Sequence, residues 1–430
     1  HRLSWLVTGS FGKTGSQFAV NALRPLMNSN PSLARKSPVA GTPLLGNLVP
    51  CNVIAEEILS DHPDRYRAML IETANPAHSL ADSGKFIEAM RKLDFSVVID
   101  VAMSETARHA DYILPAATQY EKAEATFFNF EFPHNYFHLR HPIMVPPADA
   151  EVLTEAEIHA RIIEELGEMP EEVEGLRKTL EHQGRDAFAK AFNAAQANNP
   201  AVRRLAPVVL YRSLGACLPA AVAPAAALWG VAHFVAQREP GPLQRAGLEG
   251  DGIALGDALF DRIIDSPRGF IFSVDEHDAS WGRVRTADGR INAYIAHLVP
   301  SIEELSVGPQ AITSQEYPFV LSAGERRAYT ANTIFRDPEW RRKDRDGALR
   351  ICPQDAARLS LNDGDVAKLS TAGGQTKVVI EISARMQPGH VSLPNGMGLD
   401  SSNGAGDVAR VGTAPNELTA SGHRDFFAGT

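Results

Sequence analysis

Residues 93–130 read LDFSVVIDVAMSETARHADYILPAATQYEKAEATFFNF, and this stretch limits the possible folds more than any other. The apolar run Val97-Val98-Ile99 stops at Asp100, and a second run, Tyr112-Ile113-Leu114, stops at Pro115. A buried run that ends on a carboxylate and small polar residues is how α/β proteins open a ligand crevice at the carboxyl ends of parallel strands. Between the runs, Ser104-Glu105-Thr106-Ala107 reads as the start of a short helix, with Ser104 placed to cap it. An acid at Asp100 can accept hydrogen bonds from a ribose or a guanine edge.

Strand and helix patterns alternate from residue 51 to about 147, with apolar runs at 69–71 and 96–99. That order implies a parallel sheet with helices on its faces. Residues 151–167 form an amphipathic helix pattern, with Val152, Ile158, Ile162 and Ile163 on one face. Residues 171–198 continue as a polar helix. The Ala-rich segment 205–235 is almost uncharged, but Pro219, Pro224 and two glycines interrupt it. A buried helical hairpin is therefore expected there in preference to a membrane span. A helix over 255–264 and strands at 269–274 and 292–295 follow. From residue 316 the chain reads as short strands at 319–321, 366–370, 377–382 and 390–393, with turns at Asn362-Asp363-Gly364-Asp365 and Ala372-Gly373-Gly374. This spacing predicts a β-barrel.

At several of these places the chain resembles the molybdenum or tungsten bis-pterin oxidoreductases, the group of formate dehydrogenases, dissimilatory nitrate reductases and dimethyl sulfoxide reductase. The matching residues are Asp100, Thr106-Ala107, Ala110-Asp111, Leu114-Pro115 and Glu121. Others are Asn75-Pro76 with Ser79 after the run at 70–71, and LSWLVTGSFGKTG at 3–15. The run from Ile351-Cys352-Pro353-Gln354-Asp355-Ala356 through Leu361-Asn362-Asp363-Gly364-Asp365 to Gln387-Pro388-Gly389 is similar to the family's C-terminal domain. The likeness covers both ends and the first third of the chain, and is weak between about 175 and 301.

The resemblance implies an α/β fold in three consecutive parts: an α/β pterin-dinucleotide-binding part (1–150), a helical and mixed connecting segment (151–315), and a molybdopterin dinucleotide-binding double-psi β-barrel (316–430). Its implied cofactor is bis-molybdopterin guanine dinucleotide with Mo or W, and a [4Fe-4S] cluster in an upstream part. The chain starts at His1 inside a family pattern, so it is expected to be the C-terminal portion of a longer enzyme and inactive by itself. Formate is the suggested substrate because that activity is common in the group, with an electron-transfer partner. The alternative is a scaffold subunit of a respiratory complex that kept the fold without the metal.

The resemblance also assigns site residues. Asp100 and Ser104 would hold the guanosine of one dinucleotide; the other reading is that Asp100 merely caps the next helix. Asn75 and Pro76 would form a loop over the same nucleotide, or an ordinary turn. Gly324, Arg326 and Arg327 would reach a pterin or phosphate, since the arginine fork suits a pyrophosphate; Glu325 departs from the family pattern and leaves an exposed charged turn as the other reading. Asn416, in Gly412-Thr413-Ala414-Pro415-Asn416-Glu417-Leu418-Thr419, would offer donor and acceptor to the pterin ring, or make an Asx-turn.

The remaining signals exclude alternatives. A net charge of −10 argues against nucleic acid. Gly12-Lys13-Thr14 mimics a phosphate loop, but its first glycine position holds Val7. Cys51, Cys217 and Cys352 are too dispersed for a metal site and are expected to be buried, in a reducing compartment, which points to the cytoplasm. His134, His138 and His141 lie in an aromatic-rich loop, where packed or exposed histidines are commoner than metal ligands. Nothing reads as a protein metal ligand or as a nucleophile–base set. Redox chemistry would belong to the cofactor, acting on a small molecule.

Overall fold

A computed structural model describes residues 2–10, 13–15, 35–44, 48–130, 132–284, 286–305, 312–325, 347–402, 408–422 and 424. Thirteen strands fall into four sheets among these residues. The first is parallel: β1 (Ala68–Glu72), β2 (Phe95–Asp100) and β3 (Tyr112–Pro115), in that order. The second is antiparallel: β4 (Glu124–Phe130), β5 (His134–Arg140) and β6 (Phe270–Val274). The third is a mixed sheet curled into a half-barrel, containing β7 (Val320–Glu325), β8 (Leu349–Ile351), β9 (Val366–Thr371), β10 (Gly374–Ile382) and β11 (His390–Pro394). Its order is β7-β11-β8-β10-β9. A hairpin of β12 (Leu399–Ser402) and β13 (Val408–Val411) completes the set.

The chain divides into two compact units. Unit 1 contains residues 1–26 and 116–306; unit 2 contains residues 27–115 and 307–430. Unit 2 thus joins the parallel sheet to the curled sheet, although the linear order separates them.

In unit 2 the parallel sheet is built where the sequence placed it. Val98 and Ile99 are fully buried, and Val98 packs in one core with Ile71, Phe86, Ala89 and Met90. At about 25 cal/mol per Å² of apolar surface, each of these side chains larger than alanine contributes roughly 1.5–3 kcal/mol. The helix Ser83–Lys92 supplies Phe86, Ala89 and Met90 from one face, as the i, i+3, i+4 spacing requires. A separate core of Leu349, Ile351, Val378, Ile380, Val391 and Leu393 fills the curled sheet.

Unit 1 is mainly helical. The predicted amphipathic helix runs over Glu155–Glu165, with the Thr154 side chain accepting from the Glu157 N–H at its start. The Ala-rich segment forms two helices, Ala206–Ser213 and Ala227–Arg238, joined by two 3-10 turns. Leu210, Leu214, Ala226, Trp229 and Ala232 are buried there with Phe188 and Phe260. No described helix is long and apolar enough to cross a membrane.

Three expectations fail. The aromatic-rich stretch that holds His134 and His138 is no loop: it forms the paired strands β4 and β5. Residues 292–295 form no strand: Asn292 Oδ1 accepts from the Tyr294 N–H in a local turn, and Tyr294 and Ile295 are exposed, with no apolar face to cover them. Cys352 is buried, but Cys51 and Cys217 are exposed. Both sit in short 3-10 turns, which place them at the surface.

Candidate functional site

The site lies in unit 2, at the carboxyl ends of β1 and β2. Parallel pairing in the register Glu72 with Ile99 brings both following loops to the same edge. After β1 the chain turns through Thr73, whose φ of 53° is unusual for a β-branched residue. Thr73 and Ala74 are exposed; Asn75, Pro76, Ala77 and His78 are buried. After β2, Asp100 is half-buried and Met103 exposed, while Ser104, Glu105, Thr106 and Ala107 are buried. Each loop therefore has an open mouth and a buried root.

Hydrogen bonds join the two roots. Asn75 Oδ1 accepts from the Thr106 N–H (3.1 Å) and from Thr106 Oγ1 (2.8 Å). The Ala77 N–H donates to the same hydroxyl at 3.0 Å. Asn75 Nδ2 donates to Glu105 Oε2 at 2.6 Å. The other carboxylate oxygen, Oε1, accepts from the Asp400 N–H at 2.8 Å, which ties β12 to this cluster. Arg108 lies 3.5 Å from the Asp400 carboxylate. Burial, and then the Arg91 charge, hold His109 below the usual imidazole range, although Asp400 acts the other way.

The C-terminal segment straps onto the same half of unit 2. Asn416 Nδ2 donates to the His78 carbonyl at 2.9 Å. The turn Pro415–Leu418 that carries Asn416 packs on the β9–β10 hairpin, where a Cβ at Gly374 would lie 2.6 Å from the Glu417 carbonyl oxygen. Glycine is required there by close approach.

Each predicted site residue has a definite place. Asp100 Oδ1 accepts from the Val101 N–H at 2.7 Å. Its Oδ2 meets no hydrogen-bond donor among the described residues. Ser104 Oγ faces inward and accepts from the Ala107 N–H at 3.2 Å, the capping bond its sequence context predicts. Pro76 is the first residue of the short helix Pro76–Ser79. Asn75, Pro76 and Ser104 belong to the joined roots, Asp100 stands at the mouth, and Asn416 touches the neighbouring His78. Gly324 lies in β7, and no described contact joins it to this cluster. Arg326 and Arg327 lie outside the described residues.

Sequence reasoning missed Glu105 as a linking residue, and Asp400 and Thr73 altogether. Glu105 carried one usable signal: an acid between two short hydroxyl residues, just before a buried alanine. Its partner in β12 has no sequence signal, because the donor is a backbone N–H.

The arrangement is one for holding a polar ligand by hydrogen bonds. No group of three or more His, Cys, Asp or Glu among the described residues could hold a metal ion. His138 Nε2 bonds the Pro267 carbonyl (2.7 Å) and His141 Nε2 bonds that of Ile264 (3.0 Å), both structural contacts. A guanine dinucleotide fits the open edge chemically. The Asp100 oxygen that meets no donor among the described residues could accept from a guanine N–H or a ribose hydroxyl.

Comparison with known proteins finds family matches in both the first third and the last part of the chain. Residues 11–152 match the family profile described as molybdopterin oxidoreductase, and residues 319–430 that of the molydopterin dinucleotide binding domain. A trimethylamine-N-oxide reductase of Haemophilus influenzae is 23% identical over 79% of this chain and 36% of its own length. The catalytic subunit of an assimilatory nitrate reductase of Bacillus subtilis is 40% identical over 15% of this chain and 9% of its own. The solved structure of acetylene hydratase from Pelobacter acetylenicus superposes with a TM-score of 0.50 at 14% identity, over 90% of this chain and 45% of that one, a likeness of fold alone. The chain thus spans less than half the length of each.

Proposed function

Since the chain belongs to the molybdopterin oxidoreductase family, in the group of dimethyl sulfoxide reductase, we propose that it is part of an enzyme using bis-molybdopterin guanine dinucleotide, with molybdenum or tungsten, for two-electron redox of a small substrate. The observation that carries this reading is the open edge of the parallel sheet. There one Asp100 carboxylate oxygen meets no donor among the described residues, beside a mouth whose loops are fixed from behind. Asp100 would hold a guanosine, with Ser104 shaping the loop that follows it. Asn416 would stand near the pterin, and Gly324 with Arg326 and Arg327 near a phosphate. When bound, the metal and its pterin ligands supply the electron-pair chemistry. The chain's own residues would orient the nucleotide.

A small N-oxide or oxyanion is the preferred substrate class, because two of the relatives above are named for such reductions. None of those relatives is named for formate, and no observation favours the scaffold alternative. The C-terminal sheet is proposed to complete a double-psi barrel, and an electron-transfer partner is proposed as the source of reducing equivalents.

The test uses the full-length protein. Metal analysis should find molybdenum or tungsten, and acid hydrolysis should release GMP. Reduced-dye assays should show turnover with trimethylamine N-oxide or nitrate in preference to formate. Absence of both metal and GMP from the full-length protein would overturn the reading. Iron and acid-labile sulfide in the same sample test the expected [4Fe-4S] cluster.

A further inference from the structure

We propose that Glu105 is a positioning residue for the guanine dinucleotide: its carboxylate locks the loops after β1 and β2 to β12 and so sets the shape of the nucleotide mouth. The inference rests on the dinucleotide reading above and adds to it a residue outside the predicted contacts.

The argument starts from polarity and burial. Glu105 is 7% exposed, and a buried carboxylate needs partners at both oxygens. It takes one from each side: Asn75 Nδ2 on Oε2 and the Asp400 N–H on Oε1. The Asn75 amide cannot rotate to serve otherwise, because its Oδ1 already accepts twice from Thr106. Thr106 is itself fully buried and fixed by the Ala77 N–H. Donors and acceptors therefore interlock in one sense only.

The position of this lock matters. Asn75 lies just behind the exposed Thr73 and Ala74, and Glu105 lies just behind the exposed Met103 and the half-buried Asp100 to Ala102 stretch. The lock thus pins each mouth segment at its root without occupying the mouth. Pre-set loops lose less freedom on binding, and a ligand held by them leaves more slowly.

Exchanging the chemistry of the pair tests the proposal. Glu105→Gln sets an amide against either Asn75 Nδ2 or the Asp400 N–H, so donor faces donor. Asn75→Asp combined with Glu105→Gln restores the match: the amide now sits on residue 105, and the carboxylate on residue 75 still accepts from Thr106. In the full-length holoprotein, GMP-bearing cofactor released into a protein-free filtrate is timed well below the thermal midpoint, and the midpoint is recorded separately.

Release should quicken about tenfold in Glu105→Gln and return to within about threefold of wild type in the double variant. Unchanged release in Glu105→Gln with a lowered midpoint would limit Glu105 to holding the fold and overturn the proposal. A double variant no better than the single would also overturn it, because the donor–acceptor match would not be the device. A wild-type protein without GMP overturns the dinucleotide reading, and the positioning role falls with it; that outcome is distinct from GMP present but indifferent to residue 105.

Discussion

Asp82 and Ser421 stand 339 positions apart in the chain, and the Ser421 hydroxyl donates to Asp82 Oδ2 at 3.0 Å. The Ser421 N–H approaches the same oxygen at 3.4 Å, and Thr419 Oγ1 accepts from the Asp82 N–H at 3.3 Å. Asp82 adopts a left-handed backbone (φ 60°) and its other oxygen caps the helix Ser83–Lys92. One short acid thus starts a helix and anchors the C-terminal strap.

Asp82→Ala should remove both functions. A lost N-cap costs about 1 kcal/mol, and a lost hydrogen bond to a charged group about 1.5–3 kcal/mol. Amide exchange at residues 419–422 should rise more than exchange in the helix Glu155–Glu165 of unit 1. Equal protection in wild type and variant would show that the strap is held elsewhere.

No helix starts at Asp100, so replacing it by Ala should separate ligand binding from a local backbone contact. Loss of a charged hydrogen bond to the nucleotide costs about 1.5–3 kcal/mol, roughly ten- to a hundredfold in affinity. The bond to the Val101 N–H is local, so the thermal midpoint should move little. GMP content and midpoint of the full-length variant are measured together. Full GMP content with a lowered midpoint would make Asp100 a local backbone contact and nothing more.

Unit 1 should carry an acid-sensitive contact at Glu157. Burial opposes ionisation of this carboxyl, but hydrogen bonds from Arg212, Arg161 and Tyr211 outweigh it and hold the pKa at about 2. An unfolded glutamate titrates near about 4.3. The folded value is the lower one, so the contribution is complete above about pH 4.3 and disappears as pH falls toward about 2. The ring of partners is partly solvated, which limits the effect to about 1 kcal/mol. Glu157→Gln should flatten the stability profile of unit 1 between about pH 5 and 2. An unaltered slope would reassign the acid sensitivity to another group.

Gly256→Ala should disturb the helical core of unit 1. A Cβ there would lie 2.7 Å from His233 Cγ and Nδ1, and that ring packs at a 39° tilt against Trp229 and is bonded to Asp257 at 3.1 Å. Overpacking of this kind costs about 1–3 kcal/mol. Removing the ring with His233→Ala should relieve part of it, so the double variant should lose less than the two singles together. Strict additivity in urea titrations would contradict the contact.

How far the sequence could be read depends on the range of the interaction. The run Val97–Asp100 was legible because burial on both faces of a parallel strand leaves a continuous apolar stretch. Ser104 was legible as a cap because its bond reaches only to Ala107. Glu105 was not legible, since half of its role comes from a backbone N–H nearly 300 residues away. Residues 292–295 misled for the opposite reason: their composition is right for a strand, but the fold offers no neighbour to pair with. Asn75 was noticed as a turn residue, yet its side chain proves to be bonded almost wholly within the protein.

The division of unit 2 into residues 27–115 and 307–430 also governs how the nascent chain matures. A ribosome adds about 5–20 residues per second, so the stretch 116–306 keeps the first half waiting on the order of ten to forty seconds for the second. Through that interval Glu105 has no Asp400, Asp82 has no Ser421, and the His78 carbonyl has no Asn416. The intervening helices, closed by contacts nearer in sequence, are free to fold meanwhile, since short loops form fastest. Newly made protein therefore passes through a stage in which the loops after β1 and β2 are not yet tied to β12.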